Sequence, residues 1–480
     1  MNLPAKIALN TAVQFISKII TIILGLLTIA LITRYLGQIG FGEYTIAMTF
    51  LMFFGIIADL GLTLVTVQVI SMPNIDEEKA MGNLMSLRLV TAVLFLALAP
   101  IVVLFFPYSG ELKMAVAIVT ISFLFTSLNQ VMIGLFQKHL RMEKAALAEV
   151  GGRLILFIGT VLAIYHNTGL YGIMIVTVIA NTVQFLLHYI FSRSLVKITL
   201  QFDFKMWREI IIKSWPLAVT IILNLIYLRA DTLLLSTMPR KTDIGIIAEV
   251  GVYGAAYKVI DVLITFPFVF AGIILPILTY AWNKGNKARF YLVLQKSHDA
   301  MAVLAIPLMI GTQFIATDLM VLVAGDEFAV SGPALKILIN AAGFIFLGIM
   351  WSHAIIAIDK QRKVIGAYVF VAMTALPAYL YVIPRFSYLG AAFVTIYSEL
   401  AITAIIFCIA KRLSGFKFNF NVTFKSILAS LIMALVIWCL QTYYTNNLFI
   451  ILGLAIPIYF VALYLLKGIS RNDFEQVFKK

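Results

Sequence analysis

The chain of 480 residues is 62% hydrophobic and 12% charged, which excludes an ordinary water-soluble domain and leaves room, at about 20 apolar residues per crossing, for a dozen or more membrane spans. Its net charge of +14 does not mark a nucleic-acid binder. Most of the 36 Lys and Arg residues fall in segments that an inward N-terminus places in the cytoplasm, the positive-inside pattern.

Apolar runs predict about fourteen spans, at 8–32, 43–70, 83–106, 112–137, 145–165, 169–191, 214–238, 250–282, 296–323, 334–358, 363–384, 387–410, 425–443 and 447–466. The chain is therefore expected to be an all-α polytopic membrane protein, and the even number of spans puts both termini in the cytoplasm. The first run is too long for a signal-peptide core and no small-residue cleavage site closes it, so it is expected to stay as the first helix. Cys408 and Cys439 lie in spans and give no disulfide framework. The five histidines show no metal-ligand spacing, and neither a metal nor a cofactor is expected.

On the first span Asn10, Gln14, Lys18, Thr21, Gly25 and Thr28 follow one another by three or four residues and share one helical face. Such a face belongs inside the bundle, with the polar residues bonding helix to helix and Lys18 near mid-membrane in need of a distant partner. The second span offers Asp59. Residues 34–44 read as a short external turn. Arg88 lies near the cytoplasmic end of the third span, where snorkelling is the plain alternative to a ligand role. Glu149 and Arg153 have the acid-first spacing of a local ion pair. The basic, aromatic segment 192–213, with Phe202, Phe204 and Trp207, reads as an interfacial helix joining two halves.

The densest intramembrane charge follows. Thr220, Asn224, Tyr227 and Asp231 share a face, with Arg229 two residues from Asp231 and off it, so that the two are expected to have different partners. Gly254, Lys258, Asp261 and Thr265 form another stripe, before Pro267 and Pro276, which are expected to kink or break the helix. Lys258 and Asp261 can pair within it. Glu399 is an acid with no base one turn away, and the last two spans are nearly uncharged and expected to be peripheral.

Three short patterns recur in order at one offset of roughly 210–220 residues. Gly42, Tyr44 and Ala47 match Gly251, Tyr253 and Ala256. The basic turn of Lys138, Arg141 and Lys144 matches Lys360, Arg362 and Lys363. Leu170-Tyr171-Gly172 with Val176-Thr177 matches Tyr388-Leu389-Gly390 with Val394-Thr395. The expected organisation is two pseudo-symmetric six-helix lobes, 1–198 and 199–414, of like orientation, followed by two peripheral helices and a tail, 415–480. A substrate site between lobes and alternating access follow from that arrangement.

Arg34-Tyr35-Leu36-Gly37 with Phe41-Gly42-Glu43-Tyr44, then Asp59-Leu60-Gly61-Leu62, and Val252-Tyr253-Gly254-Ala255-Ala256-Tyr257-Lys258 resemble the Wzx-type polysaccharide flippases. These belong to the exporter superfamily that also contains MATE drug transporters and lipid II flippases. The resemblance implies a multi-pass protein of the bacterial inner membrane that is not an enzyme. It would turn an undecaprenyl-pyrophosphate-linked oligosaccharide, for O-antigen or a related surface polysaccharide, from the cytoplasmic to the outer leaflet. Polysaccharide polymerase and chain-length machinery are the implied protein partners, with no nucleic acid. The family's cationic lumen maps by character and position onto Lys18, Arg88, Arg153, Arg229 and Lys258. Coupling to an H+ or Na+ gradient, or to the membrane potential, would fall to Asp59, Asp231, Asp261 and Glu399. By count the spans hold as many acids as bases, so the anionic substrate rests partly on the resemblance. Two other functions compete. Cation-coupled drug efflux would use the same acids, but extra terminal spans and buried bases count against it. A polymerase or glycosyltransferase would need a sizeable catalytic external loop, and these loops are short.

Overall fold

The computed structural model describes residues 3–72 and 75–468; the side chains of 3–12, 15, 64, 216, 217 and 220 lie outside the description, and with them the expected roles of Asn10 and Thr220. Among the described residues there are fourteen α-helices and no strand. They are α1 (Leu3–Asp59), α2 (Leu62–Ile70), α3 (Glu77–Leu96), α4 (Leu98–Val102), α5 (Gly110–Lys138), α6 (Met142–Tyr165), α7 (Gly169–Ser192), α8 (Phe204–Thr237), α9 (Ile246–Asn283), α10 (Lys287–Ala324), α11 (Gly332–Ala357), α12 (Ile365–Ser414), α13 (Asn421–Tyr443) and α14 (Leu448–Leu465).

Eleven stretches are long and apolar enough to cross a bilayer, and two of them are too long to cross it once. The apolar part of α1, Ile16–Asp59, has 44 residues, about 66 Å at helical rise against a hydrocarbon core of about 30 Å. It is interrupted at Gly37 (φ 63°, ψ −172°), and α12 is interrupted likewise at Ser387 (φ 52°, ψ −141°). Counting each twice and adding α8 recovers the fourteen expected spans. The expected turn over 34–44 contracts to Gly37, because helix resumes at once on either side. The second span is broken instead near its end, where Leu60 and Gly61 both take positive φ between α1 and α2. Gly61 also lies so close to Ser214 that a Cβ would stand 2.6 Å from its carbonyl oxygen.

One other expectation is corrected. The segment 192–213 is not one interfacial helix: α7 ends at Ser192, and α8 runs unbroken from Phe204. Between them the chain is extended because α3 captures its backbone. Ser86 Oγ accepts from Gln201 N at 2.9 Å and Asn83 Oδ1 from Asp203 N at 2.7 Å. Gly82 leaves the space for Thr199 to lie flush. Of the kink or break expected at Pro267 and Pro276, the break does not occur: α9 continues through both, although each proline removes one N–H.

The chain forms two compact units, 1–254 and 255–480, and the division falls within α9. The first unit has a core in which Leu62, Val65, Met81, Leu84, Val131, Leu135 and Phe136 of α2, α3 and α5 meet Trp207 of α8. In the second, α13 and α14 close on α10 through Ile315, Ala429, Ile451 and Ala455, with Tyr459 donating to the Val303 carbonyl at 2.7 Å.

Within the first unit α1 and the start of α9 approach backbone to backbone. A Cβ on Gly42 would collide with the carbonyl oxygen of Ile247, and one on Gly251 with that of Gln38, both well inside the 3.0 Å that real Cβ atoms keep. Gly254 meets Thr45, whose Oγ1 and Cγ2 would be 2.7 Å from an added Cβ. The one offset that aligns the Gly42 and Gly251 motifs also exchanges Gln38 with Ile247 and Thr45 with Gly254. The recurring letters are thus the two faces of one pseudo-twofold contact.

Candidate functional site

The break at Asp59-Leu60-Gly61 leaves the last carbonyls of α1 and the first N–H groups of α2 without helical partners, and two side chains supply them. Asp59 accepts from Thr63 N at 3.4 Å and from the Thr63 hydroxyl. Arg88, from α3, pairs with the Asp59 carboxylate and donates to the Asp59 carbonyl at 3.1 Å, to the Ser127 carbonyl at 3.0 Å and to Thr63 Oγ1 at 3.4 Å. The Arg88 side chain is 3% exposed. Removing one member of such a buried pair costs about 3–5 kcal/mol, so Arg88 and Asp59 hold the break together and are not readily surrendered to a ligand.

Lys18 does not meet Asp59. Its partner is Glu149 of α6, at 3.3 Å, with the two side chains 39% and 34% exposed. Glu149 is therefore not locked to Arg153, as its spacing suggested. Arg153, one turn further along α6, is exposed and has no hydrogen bond or ion pair among the described residues; its charge reaches buried Tyr44 of α1. A partly exposed pair of this kind is worth about 0–1 kcal/mol, far less than the Arg88 clamp. Facing lipid, such charges would cost several kcal/mol, so this face of α1 and α6 borders water or polar ligand. Thr21 and Thr28 on the polar stripe are buried, as expected of an inward face. Their hydroxyls bond back within α1, Thr28 to the Leu24 carbonyl at 2.7 Å and Thr21 to that of Ser17, and not to another helix.

On α8 the fully buried Asp231 accepts from the hydroxyl of Tyr253 on α9, from Thr232 N at 2.6 Å and from the Thr232 hydroxyl at 3.2 Å. Arg229, partly buried, interacts with Asp231 electrostatically. Asn224 donates to Tyr227 along the expected face, at 2.6 Å. A pair that sequence reasoning missed closes the same hairpin: Arg240 meets Glu249 at 2.6 Å, with side chains 1% and 6% exposed, and also donates to the Leu235 and Met238 carbonyls. Nothing periodic flags it, since Arg240 lies in the connection between the helices. Glu149 was legible for its spacing to Arg153 and Tyr253 as a letter of the repeat, but neither for the partner it has.

In the second unit Lys258 and Asp261 pair one turn apart at 3.8 Å, about one third and one quarter exposed. Glu399 of α12 is buried, and its Oε1 makes no hydrogen bond among the described residues; the Tyr368 hydroxyl lies within reach of its charge. The structure therefore joins Asp59 to Arg88 and Lys258 to Asp261, sets Asp231 within electrostatic reach of Arg229 where separate partners were expected, and joins Lys18 to a residue outside the expected set. Among the described residues no cluster of His, Cys, Asp and Glu has the makings of a metal site.

Long apolar helices with charge placed inside them define a polytopic membrane protein. The family model of polysaccharide biosynthesis proteins matches residues 7–282, more than half of the chain, and the protein belongs to that family. No curated protein sequence matches. Among solved structures, the lipid II flippase MurJ in an inward closed conformation is similar at TM-score 0.76 and 18% identity, over 98% of this chain and 100% of that one. An inward-facing multidrug-resistance MATE transporter of the MOP superfamily gives 0.65 and 15%, over 84% and 98%. A MOP-superfamily transporter from Pyrococcus furiosus gives 0.53 and 14%, over 86% and 94%. At these identities the likeness establishes the fold, and the resemblance read from the short motifs holds at the level of family and fold.

Proposed function

We propose that the protein is a flippase that carries an undecaprenyl-pyrophosphate-linked oligosaccharide, destined for O-antigen or a related surface polysaccharide, from the cytoplasmic to the outer leaflet of the bacterial inner membrane by alternating access between two lobes. The observation that carries this reading is the partly exposed face of Lys18, Glu149 and Arg153, two bases to one acid inside a membrane protein of a polysaccharide biosynthesis family. A pyrophosphate needs cations it can reach and leave, and ammonium and guanidinium groups supply them; the prenyl chain stays in lipid. Arg229 and Lys258 extend the set, and Arg88 serves it indirectly by fixing the helix break. The buried acid Glu399 is the member of the acidic set best suited to take up a coupling proton or cation, since a carboxylate without a base nearby must be neutralised in low dielectric.

The test is surface polysaccharide in a strain lacking the protein, complemented at matched membrane abundance. Lys18→Ala and Arg229→Ala should each abolish export, and Lys18→Arg should retain part of it because the charge is kept. Normal polymer from both alanine variants refutes the cationic path.

A further inference from the structure

We infer that Glu149 is a built-in stand-in for the substrate's phosphate: it occupies Lys18 while the site is empty and moves to Arg153 when an anionic group takes its place. This rests on the flippase reading and assigns a role to a residue that reading does not use. Three features of the structure converge on it. The Lys18–Glu149 pair spans α1 and α6 at 3.3 Å with both side chains more than one third exposed, so a ligand can reach it and little free energy holds it closed. Arg153 stands four residues after Glu149, the acid-first spacing at which a carboxylate and a guanidinium meet on one helical face, and it has no partner among the described residues. Arg88 and Arg240 of the same unit do not share this freedom, being committed to buried carboxylates and backbone carbonyls.

The arrangement solves a problem that a bare cation would leave. An empty site with Lys18 alone carries an uncompensated charge in the membrane, and a site that simply holds a diphosphate tightly does not let it go. With Glu149 present the acid always has a cation, Lys18 in the empty state and Arg153 in the loaded one. The returning carboxylate then competes the diphosphate off. Glu149 is on this account a positioning residue that sets affinity and release and makes no bond to the substrate.

The experiment measures binding of farnesyl pyrophosphate to the purified full chain in detergent, with farnesol as the uncharged control, beside polymer export in cells. Glu149→Gln should bind farnesyl pyrophosphate roughly fivefold tighter, because the internal competitor is gone, and should export less polymer at equal abundance. Lys18→Ala should bind at least tenfold weaker. Glu149→Asp, which keeps the charge one methylene further from Lys18, should fall between wild type and Glu149→Gln in affinity and gives a readout if Glu149→Gln is poorly produced. Affinity unchanged or weakened in both Glu149 variants, with Lys18→Ala weakened as expected, overturns the stand-in and leaves the flippase reading in place. Equal binding by wild type and Lys18→Ala, with normal polymer from Lys18→Ala, removes the anion site itself and the stand-in with it.

Discussion

The reciprocal contact between α1 and the start of α9 leaves no room for a methyl group, and this can be measured. Gly42→Ala would drive its Cβ into the Ile247 carbonyl oxygen and Gly251→Ala into that of Gln38. Both obstacles are backbone, which cannot rotate aside, so the two segments must part by roughly an ångström to reach ordinary contact. Overpacking of this kind costs about 1–3 kcal/mol, against which a helical Gly→Ala change gains about 1 kcal/mol or less from propensity. Controls lie on the same helices: Gly25 of α1 and Gly272 of α9 have nothing within 4 Å of an added Cβ, and alanine there should be neutral or slightly stabilising. Thermal inactivation of the detergent-purified protein, followed by size-exclusion chromatography, should rank Gly42→Ala and Gly251→Ala below wild type and both controls at or above it. Because each methyl opens the same contact, the double variant should lose less than the sum of the singles. Losses that add fully, or Gly42→Ala and Gly251→Ala as stable as the controls, would refute the shared contact.

Arg88→Ala or Asp59→Ala should cost about 3–5 kcal/mol by leaving the partner buried and unpaired. The readout is membrane abundance, and the double change to Met and Leu should recover part of it, the carbonyls of Asp59 and Ser127 remaining unserved. At the extended segment before α8, the Lys79 ammonium at 3.0 Å, helped by Met206 N–H, holds the Asp203 carboxyl below the usual carboxylate range. A depressed carboxylate contributes stability above its unfolded value of about 4 and loses it as pH falls through the folded one. Protease cleavage at 193–203 should therefore rise below about pH 4 in the wild type, whereas Asp203→Asn should already be cleaved faster at pH 6 and show no such step. Reporter fusions at both termini and within 193–203 should all report the cytoplasm; an external C-terminus would overturn the proposed topology.

The spans were legible because a bilayer imposes a length of about 20 apolar residues and tolerates no unpaired backbone. Even the pairs of spans that run on as one helix, in α1 and α12, are separable by length alone. Partners of charged residues on other helices were not legible, although the pair of Lys258 and Asp261 within one helix was. Lys18 meets an acid 131 residues away, and the local spacing of Glu149 and Arg153 pointed to a different pair. Extended structure at 196–203 was hidden as well, because Phe202, Phe204 and Trp207 carry an amphipathic pattern while Ser86 and Asn83, on another helix, decide the hydrogen bonding. The recurrence of Gly42 and Gly251 was visible as letters; that the two glycines serve one contact required coordinates.

The equal count of acids and bases in the spans argued against a cationic path, and the structure shows why a total is the wrong quantity. In the first unit Arg88 is cancelled where it stands by Asp59 and, between spans, Arg240 by Glu249, in pairs that are at most about an eighth exposed. These pairs contribute nothing to the field a ligand meets, because each is closed at short range and spent on backbone carbonyls. Lys18 and Glu149 cancel only loosely, at a third or more exposure, and Arg153 beside them adds a charge that no ion pair among the described residues removes. Coulomb attraction between a ligand and a base depends on local distance and dielectric, so the proposed cationic path is compatible with spans that are balanced as a whole. The bases best hidden from solvent, which look most like buried ligands in a sequence, are the ones least able to bind substrate.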